Sequence, residues 1–302
     1  MNRIVITLSI AMFAITAEAK EYHLFYLGGQ SNMDGYGFVK ELPESLSKPI
    51  ADVMIFHGNQ SPDQQPVDGR GLWSPLQTGH GVGFSSDGKS NQYSERFGVE
   101  LTFALALKKK MPDVNIALIK YSRGGTSIAE EAARQFGCWE PDFNQGTGDG
   151  RGINQYDHFL ATIRHATGHS DIDGDGEPDT LIPSGIVWMQ GESDAGTEAV
   201  AVRYHANLKR LVDLIRAALR TDDLPTVIGR ISDSGGEGKN KVWKFGDTVR
   251  QQQAEFVEAD GNAALVTSTD QYGYSDPWHY DTAGYIDLGE EFGKAMAELV
   301  QR

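Results

Sequence analysis

The sequence has little cysteine: Cys138 is the only one among 302 residues. A single thiol cannot form an intramolecular disulfide, so the fold must be stable without one, even in an oxidising compartment. Cys138 has two interpretations, a catalytic thiol or a structural residue packed beside Trp139. We favour the structural interpretation.

Basic clusters are also scarce. Lys and Arg together number 27 against 42 Asp and Glu, which gives a formal net charge of −15. The one basic run, Lys108-Lys109-Lys110, closes a predicted helix, where cations interact favourably with the helix dipole. Because an acidic chain without a basic patch binds nucleic acid poorly, we expect no nucleic-acid partner.

Long apolar runs are limited to Ile4–Ala17, which is too short to span a bilayer comfortably. Arg3 precedes this run, and Ala17-Glu18-Ala19 follows it as a small-x-small cleavage site. We therefore predict a signal peptide over residues 1–19, a single domain over residues 20–302, and a secreted or periplasmic protein without a membrane span. The alternative for the first residues is a buried N-terminal helix.

Five short apolar runs predict β-strands, because each is rich in branched or aromatic residues and is bounded by turn-forming residues. They are Tyr22–Leu27, Val114–Tyr121, Gly185–Met189, Thr226–Ile231 and Ala263–Ser268. Helical periodicity lies between them, at Glu95–Lys110, Gln155–Ala166, Ala199–Arg220, Thr248–Glu258 and Thr282–Val300. This alternation predicts a three-layer α/β/α domain with a five-stranded, mainly parallel sheet.

Two segments, His57–Ser94 and Gln135–Asn154, fit neither periodicity and predict long loops. Loops of this length in a compact domain are usually functional or disordered. Because tryptophans and tyrosines lie in or beside them, we expect these loops to be ordered and to face the substrate.

Ser31 directly follows the first predicted strand, and Asp276 and His279 follow the last one. Active sites in parallel α/β sheets lie beyond the carboxyl ends of the strands. A serine, an imidazole and a carboxylate are the groups that acyl transfer needs, because the base takes the proton from the serine hydroxyl and the acid orients the base. Considered alone, Ser31 is better explained as a helix N-cap, and His279 as a surface imidazole.

Four sequence blocks occur in order, each after a predicted strand. They are Gly28-Gly29-Gln30-Ser31-Asn32-Met33, Ser122-Arg123-Gly124-Gly125-Thr126, Trp188-Met189-Gln190-Gly191-Glu192-Ser193-Asp194 and Asp276-Pro277-Trp278-His279. Together they resemble the SGNH hydrolase superfamily, whose fold is flavodoxin-like, and within it the branch of sialate O-acetylesterases and acetylxylan esterases. The resemblance extends over residues 22–300.

The resemblance implies a role for individual residues. Ser31 matches the nucleophile and His279 matches the general base. The Ser31 N–H, the Gly125 N–H and the side-chain amide of Gln190 would form the oxyanion hole, with Gly124 as a second candidate for the glycine. Asp276 is the usual helper acid, and Glu192 is the alternative. We favour Asp276.

These residues predict a serine esterase that removes O-acetyl groups from a carbohydrate and needs no cofactor for catalysis. Acetylated xylan, sialic acid and related glycans remain equal candidates as substrate. The predicted substrate-binding residues are Trp73, Arg123, Trp139 and Trp278, since a polar rim with tryptophans suits sugar stacking better than an acyl chain. A carbohydrate-binding protein without catalysis and a lipase or thioesterase are the alternatives.

An acidic segment, Asp171-Ile172-Asp173-Gly174-Asp175-Gly176-Glu177-Pro178-Asp179, matches the first half of an EF-hand-type loop. The twelfth position is Ile182, so the bidentate glutamate is missing. The segment therefore has two interpretations, a structural calcium site formed by Asp171, Asp173, Asp175, Glu177 and Asp179, or a solvated acidic turn.

Overall fold

The central strand of the sheet, Glu21–Gly29, is buried on both faces over most of its length, as its apolar sequence predicts. The computed structural model describes residues 19–60, 67–144, 153–236 and 240–302. Residues 1–18 of the predicted signal peptide lie outside the described residues, and that assignment stays a prediction.

The strands are short apart from three. They are β1 (Glu21–Gly29), β2 (Gly37–Phe38), β3 (Val53–His57), β4 (Ser74–Pro75), β5 (Ser85–Ser86), β6 (Asn91–Gln92), β7 (Arg96–Phe97), β8 (Asn115–Ser122), β9 (Thr180–Met189), β10 (Thr226–Gly229) and β11 (Ala263–Val266).

The helices are α1 (Ser31–Asp34), α2 (Glu100–Lys110), α3 (Gln155–Thr167), α4 (Glu198–Ala201), α5 (Tyr204–Ala218), α6 (Gly246–Asp260) and α7 (Thr282–Val300). Single 3₁₀ turns occur at Val39–Glu41, Glu44–Leu46, Glu130–Ala132, Glu192–Gly196 and Ser268–Gln271.

The main sheet has seven strands in the order β11-β10-β9-β1-β8-β3-β4. All neighbours are parallel except β3 and β4, which are antiparallel. The predicted mainly parallel sheet is confirmed, but the predicted count of five strands is wrong. The run Val53–Phe56 is apolar and buried, and it carried a strand signal that the prediction missed. The edge strand Ser74–Pro75 has only two residues and no pattern from which to predict it.

Helices cover both faces of the sheet, which confirms the three-layer architecture. Neighbouring residues of β1 point to opposite sides: the Phe25 ring meets Phe103 of α2 edge-on at 5.6 Å, and the Tyr26 ring meets Phe159 of α3 at 4.8 Å. The α7 helix packs along α2. On the other face, α5 contacts both α3 and α6.

Most helix predictions agree with the structure within a few residues. The predicted helix Glu95–Lys110 begins only at Glu100, because Arg96 and Phe97 pair with β2. The predicted helix Ala199–Arg220 is interrupted after Ala201 and resumes at Tyr204. The described part of the chain contains no helix that is both long and apolar enough to cross a membrane.

The carboxyl ends of four strands lie level with one another. Gly29 at the end of β1 pairs with Ser122 of β8 and with Met189 of β9, and Met189 pairs with Gly229 of β10. The segments that follow these strands therefore meet at one edge of the sheet, which is where the first three sequence blocks lie. Val266 at the end of β11 pairs with Gly229, so the strand that precedes the fourth block ends at the same edge.

Candidate active site

Ser31 is the first residue of α1 and follows β1 after the single residue Gln30. Its side chain is largely buried, with 6% of its surface exposed. The Ser31 N–H lies in the first turn of the helix, where N–H groups have no intrahelical acceptor. It has no protein acceptor among the described residues. This N–H is therefore free to bind a ligand oxygen.

The glycine pair of the second block packs directly on Ser31. A β-carbon built on Gly124 would lie 3.3 Å from the β-carbon of Ser31. Gly124 donates its N–H to Asp34 at 2.7 Å, so that group is not free. Gly125 has a φ of +74°, which favours glycine, and is exposed. No acceptor for the Gly125 N–H is found in the described part of the chain. Of the two glycines, Gly125 has the available donor.

His279 is oriented by Asp276. The Nδ1 atom of His279 lies 2.7 Å from Oδ2 of Asp276, and the other carboxylate oxygen accepts the backbone N–H groups of Trp278 and His279. Burial raises the pKa of Asp276, but the hydrogen bonds from His279 and Trp278 lower it more, so the pKa lies below its usual value. The ring of His279 stacks on Tyr36 at 3.5 Å between centroids.

Asn32 joins the nucleophile segment to the histidine segment. Its Nδ2 donates to the carbonyl of Trp278 at 3.2 Å, and its Oδ1 accepts from the hydroxyl of Tyr285 at 2.8 Å. The described residues contain no direct hydrogen bond between the Ser31 hydroxyl and the His279 ring. Catalytic hydrogen bonds are often long in a protein without substrate, and Asn32 nevertheless keeps the two segments adjacent.

Glu192 forms no hydrogen bond or ion pair with His279 among the described residues. Its carboxylate is 2% exposed, and Oε1 accepts from Nδ2 of Asn32 at 2.7 Å. No partner of Oε2 is present in the described residues. Burial raises the pKa of Glu192 to about 6, although the hydrogen bond from Asn32 lowers it. The geometry thus favours Asp276 as the helper acid, and the catalytic roles of Ser31, His279 and Asp276 stay predictions.

The hydrogen bonds of Gln190 do not favour its predicted role as an oxyanion donor. Gln190 is fully buried, and its Nε2 already faces three acceptors: Oε1 of Gln30, the carbonyl of Thr126 and Oδ2 of Asp194. An amide nitrogen has only two hydrogens. Gln190 therefore connects the segments around Ser31 and Gly125 rather than facing the substrate.

Two of the predicted substrate-binding residues belong to the core, which corrects their assignment. Trp139 has no exposed surface and donates its Nε1–H to Thr126 at 3.0 Å. Trp73 is 9% exposed and donates to the carbonyl of Ala166 at 2.9 Å. Buried tryptophans commonly satisfy their N–H in this way. Neither indole can stack on a sugar.

The other two predicted substrate-binding residues, Trp278 and Arg123, lie at the candidate active site. Trp278 precedes His279 and half of its surface is exposed. Arg123 precedes Gly124, and its guanidinium lies 4.5 Å from the centre of the Phe136 ring. Arg123 also donates to Gln60 and forms no ion pair with another described residue. Both residues remain candidates for substrate binding.

Sequence reasoning missed three side chains at this edge: Asp34, Asp194 and Tyr36. Asp194 is buried and accepts the N–H groups of Ile128 and Ala129, just beyond the glycine pair. Burial raises the pKa of Asp194 to about 6, although these N–H groups and Gln190 lower it. Asp34 and Asp194 lie within or beside the motifs, so their carboxylates were visible in the sequence, but their partners were not.

Cys138 is fully buried, as the structural interpretation requires. Burial raises the pKa of the Cys138 thiol to about 12, so the reactive thiolate is not formed near neutral pH.

The acidic segment has three converging carboxylates. Asp171, Asp173 and Asp179 each offer an oxygen, and these oxygens lie within 4.8 Å of one another. The ammonium of Lys20 pairs with Asp173 and lies 2.7 Å from Asp175. Carboxylate oxygens are the ligands that Ca²⁺ prefers, yet a cation of the chain already neutralises part of the set. Glu177 is exposed and lies outside this group of three. Calcium binding stays a prediction.

Comparison with known proteins agrees with this geometry. Residues 21–298 match the model of a family described as carbohydrate esterase, sialic acid-specific acetylesterase. This match confirms the predicted resemblance. A search of curated protein sequences finds no match.

Solved structures share the fold at low sequence identity. A protein from Arabidopsis thaliana is 21% identical with a TM-score of 0.63, and the match covers 94% of this chain and 100% of that one. A carbohydrate acetylesterase from Xanthomonas citri is 17% identical with a TM-score of 0.63, over 92% of this chain and 56% of that one. The protein NanS is 15% identical with a TM-score of 0.57, over 95% of this chain and 99% of that one.

The acidic segment gives a testable prediction. We expect millimolar calcium to raise the melting temperature relative to a chelator, because a ligand that binds only the folded state stabilises it by about 2.7 kcal/mol at 100 times its Kd. Asp173→Asn should remove the effect, whereas Asp222→Asn, an exposed aspartate elsewhere, should retain it. Identical melting curves with calcium and with chelator would contradict the calcium site and support the interpretation as a solvated acidic turn.

Glu192 predicts a pH dependence of stability. Its folded pKa of about 6 lies above the ordinary value. The associated stability is therefore fully present below about pH 4.5 and is lost as the pH rises through about 6; it amounts to roughly 2 kcal/mol. Glu192→Gln should flatten the change in unfolding free energy between pH 4.5 and 7, measured by urea denaturation. The exposed Glu298→Gln is the control, and equal profiles for all three proteins would contradict the expectation.

Proposed function

The chain belongs to the carbohydrate esterase family of sialic acid-specific acetylesterases, and we propose that it is an exported serine esterase that removes O-acetyl groups from carbohydrates. The family membership supports an acetylated carbohydrate as the substrate. Beyond this membership, we propose the catalytic residues, the class of sugar and the location of the protein.

One observation carries the catalytic part of the proposal. A serine and a histidine–aspartate pair end up at the same edge of the sheet, although Ser31 and His279 are far apart in the sequence. The hydrogen bond from Asn32 to the carbonyl of Trp278 joins the two segments. The Asp276 carboxylate, at 2.7 Å from the imidazole, fixes which ring nitrogen faces away from it.

The reaction has two steps. The Ser31 hydroxyl attacks the acetyl carbonyl while Nε2 of His279 takes its proton, and Asp276 stabilises the imidazolium that forms. The N–H groups of Ser31 and Gly125 bind the negative oxygen of the tetrahedral intermediate. His279 then protonates the sugar oxygen that leaves. Water, deprotonated by His279, releases acetate from the acetylated Ser31.

Arg123 favours a sugar that carries a carboxylate. Its guanidinium is half-buried, lies two residues from Gly125 and has no acidic partner forming an ion pair among the described residues. Arginine binds carboxylates through paired, charge-assisted hydrogen bonds. The exposed indole of Trp278 supplies an apolar surface on the His279 side. An O-acetylated sialic or uronic acid can bind Arg123 through its carboxylate and Trp278 through its ring. Neutral xylan has no carboxylate for Arg123 and can contact only Trp278.

Export follows from the predicted signal peptide over residues 1–19 and suits an enzyme that acts on glycans outside the cell. We propose that the mature chain begins at Lys20.

Substitution of Ser31 tests the reaction. Ser31→Ala should abolish acetate release because no other nucleophile replaces the hydroxyl. Asp276→Asn should lower kcat by roughly 100-fold or more, since the imidazole loses the carboxylate that orients it, and should cost more than Glu192→Gln. Acetate release and circular dichroism are measured on the same preparations, with the exposed Ser47→Ala as the control. Turnover retained in folded Ser31→Ala disproves the serine-esterase mechanism. A larger loss of kcat in Glu192→Gln than in Asp276→Asn would show that Glu192, not Asp276, is the helper acid.

Substitution of Arg123 tests whether the preferred sugar carries a carboxylate. We expect Arg123→Met to raise KM for an O-acetylated sialic acid by roughly 10- to 100-fold, the effect of losing charge-assisted hydrogen bonds. The same change should alter hydrolysis of p-nitrophenyl acetate and acetylated xylo-oligosaccharides little. The exposed Arg164→Met controls for the loss of a positive charge. Equal kinetics of Arg123→Met and the parent protein on the acidic sugar would exclude the carboxylate contact.

A further inference from the structure

Asp34 is a buried carboxylate beside Ser31 that the proposed reaction does not use. It is the last residue of α1, three residues after Ser31, and 5% of its surface is exposed. Its Oδ2 accepts the N–H of Gly124 at 2.7 Å, and its Oδ1 accepts the hydroxyl of Ser122 at 2.5 Å. One side chain of the nucleophile helix thus binds the segment that carries the free N–H of Gly125.

The main chain of Asp34 is fixed as well. Its carbonyl accepts from the ammonium of Lys120 at 2.9 Å. Lys120 is fully buried, pairs with Glu100 at 2.8 Å and donates to the carbonyl of His80 at 2.7 Å. Because both partners of this ion pair are buried and hydrogen-bonded, the end of α1 cannot shift without breaking several strong interactions.

The backbone of Gly124 lies close to Ser31, and a side chain at this position would crowd both Ser31 and Asp34. A β-carbon on Gly124 would lie 3.3 Å from both Oδ2 of Asp34 and Cβ of Ser31. The hydrogen bond to Asp34 uses the N–H of Gly124 and so leaves the next N–H, that of Gly125, as the donor. The position of this donor relative to Ser31 therefore depends on the Asp34 carboxylate.

We propose that Asp34 is a positioning residue that holds the two N–H donors of the oxyanion hole, Ser31 and Gly125, in a fixed relation to each other. This inference rests on the proposed function. Its physical basis is that the donors must lie where charge develops in the transition state, so that a displacement of about 1 Å can cost on the order of 100-fold in rate.

Burial of the carboxylate is itself costly. Burial raises the pKa of Asp34, while Ser122, Lys120, Arg123 and the N–H of Gly124 lower it less. A neutral hydrogen-bonding residue would avoid this cost. A carboxylate nevertheless accepts all of these hydrogen bonds at once: Oδ2 accepts from Gly124, and Oδ1 accepts from Ser122 and from Nε2 of Gln60 at 3.2 Å. An asparagine can accept at only one of the two positions and donates at the other.

The test compares three variants. Asp34→Ala removes the contact with Gly124, and we expect kcat for acetyl-ester hydrolysis to fall roughly 10- to 100-fold while KM changes less than about threefold. Asp34→Asn can still accept from Gly124 and donate to Ser122, and should retain kcat within about fivefold. Asp260→Ala is the control, because the Asp260 side chain is 8% exposed and pairs with Arg216 at 2.7 Å, yet lies away from the site. It should lower stability and leave kcat unchanged.

Turnover is expressed per Ser31 labelled by a fluorophosphonate, so that unfolded protein does not count, and melting temperatures are measured in parallel. If Asp34→Ala does not fold, Asp34→Ser replaces it, because a serine is too short to reach Gly124, and the same loss of kcat is expected. A kcat within about threefold of the parent protein in these variants overturns the positioning role alone. A parent protein whose turnover does not depend on Ser31, judged by Ser31→Ala, overturns the proposed function and the positioning role with it.

Discussion

The close contact between Gly29 and the carbonyl of Met189 is the constraint on which the rest of the site depends. A β-carbon at Gly29 would lie 2.0 Å from that oxygen, and the residue has a φ of +147°, which a side chain rarely allows. The next N–H, that of Gln30, donates to the same carbonyl at 2.9 Å. The chain can therefore leave β1 at once and place Ser31 at the sheet edge, level with the ends of β8 and β9.

Buried polar side chains at this edge of the sheet connect the segments that follow β1, β8 and β9. Oε1 of Gln30 accepts from Nε2 of Gln190 at 3.2 Å and from the N–H of Ser193 at 3.2 Å. Gln190 in turn binds the carbonyl of Thr126. Since an unpaired buried polar group costs about 1–3 kcal/mol, each of these residues restricts its neighbours, and the three motif segments behave as one unit.

The sequence was sufficient for the layers of the fold, and it indicated the edge of the sheet at which the four sequence blocks meet. Strands such as β1 and β9 are buried on both faces, so their apolar runs are continuous, and the ends of such strands mark the active-site edge. It was insufficient for Ser74–Pro75, where an edge strand of two residues leaves no periodicity.

The direction in which a side chain points could not be predicted from the sequence either. Gln190 stands in a motif and at a strand end, as an oxyanion donor would, but only the coordinates reveal that Thr126 and Asp194 use its amide. Trp73 and Trp139 lie in long polar loops, yet they face the core because burial of an indole stabilises the fold more than its exposure does. Composition of a loop does not determine which of its residues face the solvent.

The choice between two acids also depends on surroundings rather than on residue type. Glu192 is enclosed, and burial raises its pKa to about 6, so near that pH a fraction of it is neutral and unable to stabilise an imidazolium. Asp276 is partly exposed and accepts hydrogen bonds from His279 and Trp278, which keep its pKa below the usual value. An acid that must stay ionised while its histidine gains a proton needs the second environment. The same reasoning assigns Glu192 a structural role. One of its oxygens accepts a hydrogen bond from Asn32, and Asn32 is the residue that joins the Ser31 segment to the His279 segment.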